Sequence, residues 1–495
     1  MEQILLLLVL PTIIIFLIQR RKIFRKSLEP PGPPGLPFIG NLLQFNSITS
    51  RHQYFWQLSK KYGPLMSMRF GSRRVLIVSS ARIAKEALTT HDLAFSGRPQ
   101  TLVLQKLSYN GLDFAFTPYS EYWRETRKLL VLNVLNLRKV QSFSPVREDE
   151  VYHMIQKIAK LAASSKSVNL SEVSMTITFT IICRVGFGKR FGKVLEIERL
   201  KQLFHEVQAM FAANFYSDFF PSLSWIDRIS GKIGRLEKNF QDFDSFYQEI
   251  LDEHLNQDRS KSSEEDMVDI LLKLRDEKSF PFDLTLNHIK AVLMNVLLGA
   301  TDTGSSIIVW AMTALLENSM IMEKVQAEIR QLGKKRMITE DDIPKLPYFK
   351  AFIKETLRFY PPTPLLVPRG TREKCNIDGY EIQPKTIVYF NAWGIARDPE
   401  HWKNPEEFRP ERFLGSCVDY KGQDFEFIPF GAGRRGCPGI SLGMATVELA
   451  LANLLYSFDW ELPFGMKIED IGKDVLPGLT LQRKNELCLL AKNYV

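Results

Sequence analysis

Cys437 stands in a glycine-rich loop behind two arginines, in the sequence FGAGRRGCPG of residues 430–439. A thiolate that binds a metal ion needs a backbone that turns tightly around the sulfur and donors that hold its negative charge. The glycines permit such turns, and the apolar helical pattern over residues 440–458 begins with oriented N–H groups beside the sulfur. Arg435 adds a positive charge. The loop therefore predicts a cysteine that serves as a metal ligand, of the kind that binds haem iron.

Two other interpretations of this loop stay open on these residues alone. A lone cysteine is usually a small buried hydrophobic residue. Residues 431–436 also have the glycine spacing G-x-G-x-x-G of a dinucleotide-binding turn, and Glu461 lies at about the distance expected for a ribose-binding acid. That fingerprint should open a βαβαβ half-domain, and only about sixty residues follow it. The dinucleotide interpretation is therefore weak.

Asp302 and Thr303 form a second candidate, in the middle of a long apolar pattern over residues 289–316. A helix that is apolar on nearly all faces belongs at the centre of a large domain. An acid at its middle is costly unless it is paired or used. Small residues weaken the helix there, and the Thr303 hydroxyl can bond the Gly299 carbonyl. We interpret the pair as a proton path; a solvated aspartate at a helix kink is the alternative.

Glu355 and Arg358 lie on a helical pattern with an apolar face that ends at Tyr360 and two prolines. The spacing E-x-x-R is common and also occurs at Glu121 and Arg124, so it means nothing alone. Arg412 follows in the sequence PERF and could complete a buried Arg–Glu–Arg network, which must be fully paired to be tolerated.

Trp123 and Arg127 are four residues apart on another helical pattern and so share a face. An indole N–H beside a guanidinium can bind a buried carboxylate, although an ordinary pair at the edge of the core explains the spacing equally well. Residues 66–70 and 74–78 form a hairpin pattern, and the rest of the body is mainly helical in pattern. These patterns predict a mainly α fold with a small β region.

The first residues predict a membrane anchor. Residues 4–18 are apolar except Pro11 and Thr12, and basic residues follow them, which favours a cytosolic location for the rest of the chain. A cleaved signal is the alternative, but the charge follows the apolar run and no A-x-A-like site follows it. We predict an anchor with its basic flank over residues 1–29, a Pro-rich hinge over 30–41 and one catalytic domain over 42–495.

Composition and charge exclude several classes of protein. The five cysteines are scattered, with no C-x-x-C pair, which argues against a disulfide framework or a zinc site. The net charge is +9, and residues 1–26 hold five basic residues and one acid. The remaining excess is spread over the chain, so we expect no nucleic-acid partner.

Five motifs occur in order: W-x-x-x-R at 123–127, GATDT at 299–303, E-x-x-R at 355–358, PERF at 410–413 and F-x-x-G-x-R-x-C-x-G at 430–439. Together with the anchor and hinge, they make the whole chain resemble the cytochrome P450 family, specifically the A-type microsomal monooxygenases of plants, near the branch that metabolises aldoximes. The resemblance implies a mainly α cytochrome P450 fold with a small β region around one haem b, preceded by one transmembrane anchor helix.

The resemblance also implies roles for single residues. Cys437 is expected to bind the iron, and Asp302 and Thr303 match the acid–alcohol pair that delivers protons. Ala300 and Gly304 depart from the family pattern, which usually has Gly and Thr or Ser there. The other haem-binding residues are expected to be Trp123, Arg127, Arg369, Phe430, Gly431, Arg435 and Gly439. The structural network is Glu355, Arg358 and Arg412, and the substrate pocket is Phe114, Phe116, Ala300, Leu365, Leu366, Val367 and Leu479.

The implied function is a haem-thiolate monooxygenase that uses dioxygen and electrons from NADPH–cytochrome P450 reductase. The expected substrate is a small, largely apolar plant specialised metabolite of the aldoxime, terpenoid or phenylpropanoid class. The reductase is expected to dock near Arg124, Lys128 and Arg434, and the anchor to hold the chain on membrane lipid, single-pass in the endoplasmic reticulum with its catalytic domain in the cytosol. Two alternatives remain: a haem-thiolate isomerase or dehydratase that needs no NADPH, and a non-catalytic membrane haem protein.

Overall fold

The computed structural model describes residues 29–494 except 47, 49, 191–193 and 257–264, so the predicted anchor helix lies outside the described residues. The α-helices of the described part, numbered in chain order, are α1 Leu42–Asn46, α2 Arg51–Tyr62, α3 Ala81–Leu88, α4 Leu102–Leu107, α5 Glu121–Asn133, α6 Leu137–Ser142, α7 Ser144–Ala163, α8 Leu170–Phe187, α9 Val194–Ala212, α10 Tyr216–Phe219, α11 Ser224–Ile229, α12 Lys232–Leu255, α13 Met267–Asp276, α14 Leu286–Glu317, α15 Ser319–Arg330, α16 Pro347–Phe359, α17 Ala392–Ile395 and α18 Ile440–Ser457.

The strands are short and few beside the helices. They are β1 Leu65–Phe70, β2 Arg73–Val78, β3 Val168–Asn169, β4 Arg369–Gly370, β5 Cys375–Ile377, β6 Tyr380–Ile382, β7 Ile387–Phe390, β8 Phe458–Glu461 and β9 Cys488–Asn493. The largest sheet has the order β1-β2-β7-β4; β1 and β2 form the predicted antiparallel hairpin, and β2 pairs with β7 in parallel. The prediction of a mainly α fold with a small β region is confirmed.

Helices α8, α14 and α18 form the centre of the fold. Each is long and apolar enough to cross a membrane by length and composition, but in each the most apolar window is 72–78% buried inside the protein. Helix α14 packs against α8 on one side and α18 on another. Their all-round apolar character therefore reflects central packing in a large domain.

Helix α14 extends three residues further at its start and one at its end than the apolar pattern predicted. Its first turn is capped by Thr285, which forms a capping box with His288. The helix stays regular through residues 299–306, where the sequence predicted a weak point. Gly304 lies where α8 comes closest, since a Cβ there would stand 3.0 Å from Cγ2 of Thr178. A side chain at this position would press on the α8 contact.

The Pro-rich segment before α1 lies along the largest sheet. Ser67 of β1 donates its N–H to the Pro31 carbonyl oxygen at 2.8 Å, and Asn41 donates its N–H to the Arg69 carbonyl oxygen at 2.6 Å. The Asn41 side chain also reaches back to the Pro34 carbonyl oxygen at 3.2 Å. The chain therefore enters the domain along β1, at the end of the sheet opposite β4, which carries Arg369.

Candidate active site

A cavity of about 280 Å³, here called the inner cavity, lies between α14 and the loop of residues 430–439. Most of the site residues expected from the sequence meet at its wall, although they come from distant parts of the chain. They are Phe114, Phe116, Arg127, Ala300, Thr303, Leu366, Val367, Arg369, Phe430, Gly431, Arg435, Cys437, Gly439 and Leu479.

A second cavity of about 450 Å³, the outer cavity, adjoins the inner one and shares part of its wall, including Phe116, Leu366 and Leu479. Leu365, expected in the substrate pocket, lines only the outer cavity. Leu366 has a left-handed backbone (φ 53°), which is uncommon for a branched side chain. Leu366 therefore lies on the wall that the two cavities share, whereas the preceding Leu365 reaches the outer cavity alone.

The loop around Cys437 holds the sulfur at the floor of the inner cavity. The Cys437 N–H donates to the Phe430 carbonyl oxygen at 2.9 Å, and α18 begins three residues later. Gly433 has φ 66°, and a Cβ there would stand 2.7 Å from Oδ1 of Asp92, so the turn requires glycine. Burial raises the pKa of the Cys437 thiol, whereas the Gly439 N–H and the charge of Arg127 lower it. The cysteine is exposed, and the space it faces is the inner cavity.

Four arginines, Arg98, Arg127, Arg369 and Arg435, surround the same cavity. Burial lowers the pKa of all four, to about 10 for Arg369 and about 9 for Arg435. Repulsion from neighbouring arginines lowers the pKa of Arg98 and Arg435 further, and the opposing charge of Asp113 offsets it only in part. For Arg369, the charge of Asp92 raises the pKa by more than Arg127 lowers it. An anionic ligand placed among these guanidinium groups would relieve the repulsion.

The residues present fit haem b. Arg369 donates one N–H to the Ala432 carbonyl oxygen at 2.6 Å, and its buried Nη1 makes no hydrogen bond within the described residues. Oδ1 of Asp92 lies 3.8 Å from this Nη1, close enough for an ion pair but too far for a hydrogen bond. The buried donor can therefore still bind a ligand acceptor, and a carboxylate is the partner that a guanidinium binds best. The cavity thus offers a cysteine sulfur that would bind the iron and cations that would bind the two carboxylates of the macrocycle, which are the features that haem b requires.

Trp123 is placed differently from the other expected haem contacts. It is buried and does not line either cavity, because its indole N–H donates to the Phe114 carbonyl oxygen at 2.7 Å. The guanidinium carbon of Arg435 lies 4.0 Å from the centre of its ring. In this conformation Trp123 holds the Phe114 loop and packs under Arg435, and its N–H is already used.

The loop that carries Phe114 and Phe116 is fixed from α14. Asn295 accepts hydrogen bonds from the N–H groups of Phe114 and Ala115, at 3.3 and 3.0 Å, and donates to Oδ2 of Asp113 at 2.8 Å. The buried Asp113 also accepts the N–H of Phe116 at 3.1 Å. One polar side chain on the central helix therefore sets the position of two aromatic residues at the cavity wall.

Thr303 and Asp302 have different positions relative to the inner cavity. Thr303 lines it, and its hydroxyl donates to the Gly299 carbonyl oxygen at 2.5 Å. Asp302 is 1% exposed and lines neither cavity. Burial raises the pKa of Asp302 to about 7, and the amides of Gln208 and Gln482 oppose that rise. The carboxyl group can therefore be protonated near neutral pH.

Glu355, Arg358 and Arg412 meet beside Trp402, whose ring centre lies 5.4 Å from the guanidinium carbon of Arg358. The Trp402 indole N–H donates to the Glu426 carbonyl oxygen at 3.3 Å, which links the network to the segment that leads into the thiolate loop. Arg358 donates to both carboxylate oxygens of Glu355, at 2.7 and 2.8 Å, and Arg412 donates to Oε1 at 3.0 Å. The remaining guanidinium N–H groups donate to backbone carbonyls, among them those of Ala396 and Lys403. This is the fully paired arrangement that a buried charge network requires.

The profile of the cytochrome P450 family matches residues 30–489. The chain belongs to the cytochrome P450 family. A 6,7,8-trihydroxycoumarin synthase from Pastinaca sativa is 51% identical to it over 94% of this chain and 93% of that protein. A strychnine-11-hydroxylase from Strychnos nux-vomica is 45% identical over 96% and 93% of the two chains. A zebra fish cytochrome P450 solved with abiraterone is 26% identical, with a TM-score of 0.76, and covers 90% of this chain and 100% of its own.

Family membership makes this P450 an oxidoreductase of the monooxygenase class that uses haem b, with electrons that come from NADPH through a redox partner. The resemblance drawn from the five motifs is confirmed, and the dinucleotide interpretation of the cysteine loop falls away.

Three polar residues of this P450 escaped the reasoning from sequence. Arg98 donates to the carbonyl oxygens of Ala115 and Val367, at 2.8 and 2.7 Å, and so joins two segments of the wall. The others are Asn295 and Gln208. A polar residue inside an apolar helix was a signal that could have identified Asn295; Arg98 and Gln208 carry no comparable mark in the sequence.

Proposed function

We propose that this P450 hydroxylates an aromatic plant metabolite of the coumarin or phenylpropanoid type. The observation that carries the proposal is the 51% identity with a trihydroxycoumarin synthase over nearly the whole of both chains. A 5-OH-xanthotoxin synthase from Pastinaca sativa, at 50% identity over 94% of each chain, adds support because its name also states a hydroxylated product. In the balanced reaction, one atom of dioxygen enters a C–H bond, the other leaves as water, and NADPH supplies two electrons.

Haem b, when bound, supplies the iron at which dioxygen is reduced and the substrate is oxidised. Cys437 is the residue that would hold this iron, and its thiolate donates electron density that favours cleavage of the O–O bond. Arg98, Arg127, Arg369 and Arg435 would bind the propionates. Glu355, Arg358 and Arg412 would keep the segment that leads into the thiolate loop in place.

The proposed proton path uses Thr303 and Asp302. The Thr303 hydroxyl lies at the cavity wall, where its oxygen can accept a hydrogen bond from a water molecule. Its O–H donates to the Gly299 carbonyl oxygen and would have to rotate away from that bond to donate to an oxygen atom of the ligand. A carboxyl group with a pKa near 7 can both give and take a proton at neutral pH. Asp302 would therefore resupply protons to the side of the cavity that Thr303 faces.

The substrate class agrees with the shape and chemistry of the inner cavity. Phe116 and Phe211 form an aromatic pair at the wall that it shares with the outer cavity, with ring centres 5.8 Å apart. Ala300 adds a methyl group to the α14 side of the wall. The two rings are tilted by 52° to each other, and the face of either one can stack on a planar aromatic substrate.

NADPH–cytochrome P450 reductase is the proposed electron donor. Arg124, Lys128 and Arg434 are exposed, as a docking surface requires. Their nearest acids are Glu121, Glu125 and Asp92 respectively, at 3.5, 3.9 and 3.0 Å. We place the catalytic domain on the cytosolic face of the endoplasmic reticulum, because the basic residues follow the apolar N-terminal run.

The test is expression of the full chain in microsomes with the reductase, followed by incubation with coumarins, phenylpropanoids, alkaloids, terpenoids and aldoximes. We expect a hydroxylated coumarin or phenylpropanoid whose new oxygen comes from isotopically labelled dioxygen and whose formation requires NADPH. Product formed without NADPH would instead identify an isomerase or dehydratase. Turnover of terpenoids or aldoximes alone would overturn the substrate class. A normal haem-thiolate spectrum with no turnover in any class would favour a non-catalytic haem protein.

A further inference from the structure

Gln208 connects three segments of the protein at the edge of the inner cavity. It lies on α9 and lines that cavity. Its Nε2 donates to Oδ2 of Asp302 on α14, and its Oε1 accepts the N–H of Leu479 at 3.4 Å. The C-terminal loop packs closely against this amide, since a Cβ on Gly478 would stand 3.0 Å from Oε1.

The hydrogen bond makes the two oxygen atoms of Asp302 unequal. Oδ2 accepts from Gln208, whereas Oδ1 is buried and has no hydrogen-bond partner in the described part of the chain. A carboxyl group free to rotate would exchange these atoms, and the bond from Gln208 prevents this. Oδ1 is therefore the atom left to exchange a proton.

Among the residues that the structure describes, Gln208 both lines the inner cavity and donates a hydrogen bond to Asp302. Gln482 lies near the carboxyl group as well, but it lines neither cavity. Asp302 itself lines neither. A side chain that connects Asp302 to the inner cavity must therefore touch both of them. Gln208 does so, because it lines the cavity and donates to the carboxyl group.

We infer that Gln208 is a positioning residue for proton delivery: it holds Oδ2 of Asp302 so that Oδ1 exchanges protons. The inference rests on the proposed role of Asp302. A role for Gln208 in contacting the substrate alone is the competing explanation, because the same side chain lines the cavity.

The test uses the full chain with haem and reductase, and as substrate the coumarin or phenylpropanoid that gives product in the metabolite screen. Gln208→Met keeps the length of the side chain and removes its N–H donor. Gln202→Met, six residues earlier on α9 and exposed, is the matched control. We expect Gln208→Met to lower the product formed per NADPH about tenfold, the scale of one hydrogen bond to an ionisable group. The dissociation constant from the substrate-induced spectral shift should stay within about threefold of the parent value.

A second readout does not depend on turnover. The infrared band of the Asp302 carboxyl group, identified as the band that Asp302→Asn removes, should shift in Gln208→Met and stay in place in Gln202→Met. The double variant Gln208→Met/Asp302→Asn should couple NADPH to product as poorly as Asp302→Asn alone, because both changes act on one group.

The outcomes separate the two proposals. If Asp302→Asn couples NADPH to product as the parent does, the proton path through Asp302 is wrong. If Asp302→Asn uncouples while Gln208→Met leaves both coupling and the infrared band unchanged, the inference about Gln208 alone is wrong. A large rise in the dissociation constant with unchanged coupling would make Gln208 a substrate contact instead.

Discussion

Glu355 and Asp302 are both buried carboxylates, 0% and 1% exposed, and they differ in the number of donors around them. Glu355 accepts hydrogen bonds from two arginine side chains and from the N–H of Arg409 at 2.7 Å. Asp302 accepts one from the neutral amide of Gln208, and the neutral amide of Gln482 also lies near it. Its Oδ1 makes no hydrogen bond within the residues described.

This difference in hydrogen-bond donors gives Glu355 a structural role and leaves Asp302 available for proton transfer. Glu355 is held by two guanidinium groups and a backbone N–H, and breaking such a buried network is costly, so it fixes the segments that it joins. Asp302, which has only neutral amides beside it in an apolar helix, has a pKa near 7 and can change its protonation state in use. The thiolate side of this P450 is therefore rigidly paired, and the α14 side keeps an acid available.

Removal of Glu355 should have the largest effect. Glu355→Ala leaves two buried guanidinium groups unpaired, and breaking such a network costs about 3–5 kcal/mol. That is a large part of the stability of a typical protein, so we expect little folded protein that binds haem. The measurement is the urea midpoint together with haem content.

The matched control for Glu355 is Glu121→Ala. Glu121 forms an E-x-x-R pair of the same spacing with Arg124, at 3.5 Å on the surface. An exposed pair contributes only about 0–1 kcal/mol, so this variant should unfold near the parent midpoint. Equal midpoints for the two variants would show that pairing on the thiolate side is not what stabilises the fold.

Cys437→Ser should keep the fold of the protein intact and remove the spectral signature of the haem-thiolate bond. The serine hydroxyl fits the same loop but is a far weaker donor to iron. We expect the reduced, carbon-monoxide-bound spectrum to lose the haem-thiolate band completely, with the far-ultraviolet circular dichroism unchanged. Cys417→Ser, at an exposed free cysteine, is the control and should keep the band. Retention of the band in Cys437→Ser would move the metal ligand elsewhere.

The two acids also show what a sequence can predict. Glu355 and Arg358 are three residues apart on one helix, so local geometry alone brings them together. Residues 430–439 are likewise local, and their glycines and cysteine identify the turn. The length of α14 followed from its apolar pattern because burial on all faces is a property of the segment itself.

The surroundings of Asp302 could not be predicted in the same way. Gln208 is 94 residues away in the chain, and Asn295 and Asp113 are separated by 182. Such contacts depend on how α9 and the Phe114 loop pack against α14. The hydrophobic periodicity of the sequence does not predict this packing. Trp123 shows the same limit, since its N–H was expected to bind a carboxylate and is used by the Phe114 carbonyl.

Thr303→Ala tests the proposed proton path of Asp302 and Thr303. Its expected effect is smaller than those of Glu355→Ala and Cys437→Ser. The variant loses the hydroxyl at the cavity wall and keeps the thiolate and arginine cluster, so the haem spectrum should be unchanged. We expect product per NADPH to fall about tenfold or more, as for loss of a proton donor, with hydrogen peroxide as the alternative product. Thr313→Ala removes a similar bond, from its hydroxyl to the Val309 carbonyl oxygen at 2.8 Å outside both cavities, and should stay coupled. Equal uncoupling by the two variants would mean that helix stability, and not the hydroxyl, is responsible.

The pH dependence of stability is the smallest of the expected effects, and it tests directly whether Asp302 changes its protonation state. The pKa of Asp302 rises from 3.8 to about 7 on folding, so between these values the folded protein binds more protons at this site than the unfolded chain. Its contribution to stability is therefore lost as pH increases from about 4 to about 7, on a scale of roughly 1.4 kcal/mol per pKa unit before water penetration reduces it. Asp302→Asn removes this loss, so the Tm of the variant relative to the parent should increase by a few degrees between pH 5 and 8, checked by scanning calorimetry at each pH. A difference in Tm that stays constant with pH would show that Asp302 does not change its protonation state over this range, and it would remove the chemical role assigned to this acid.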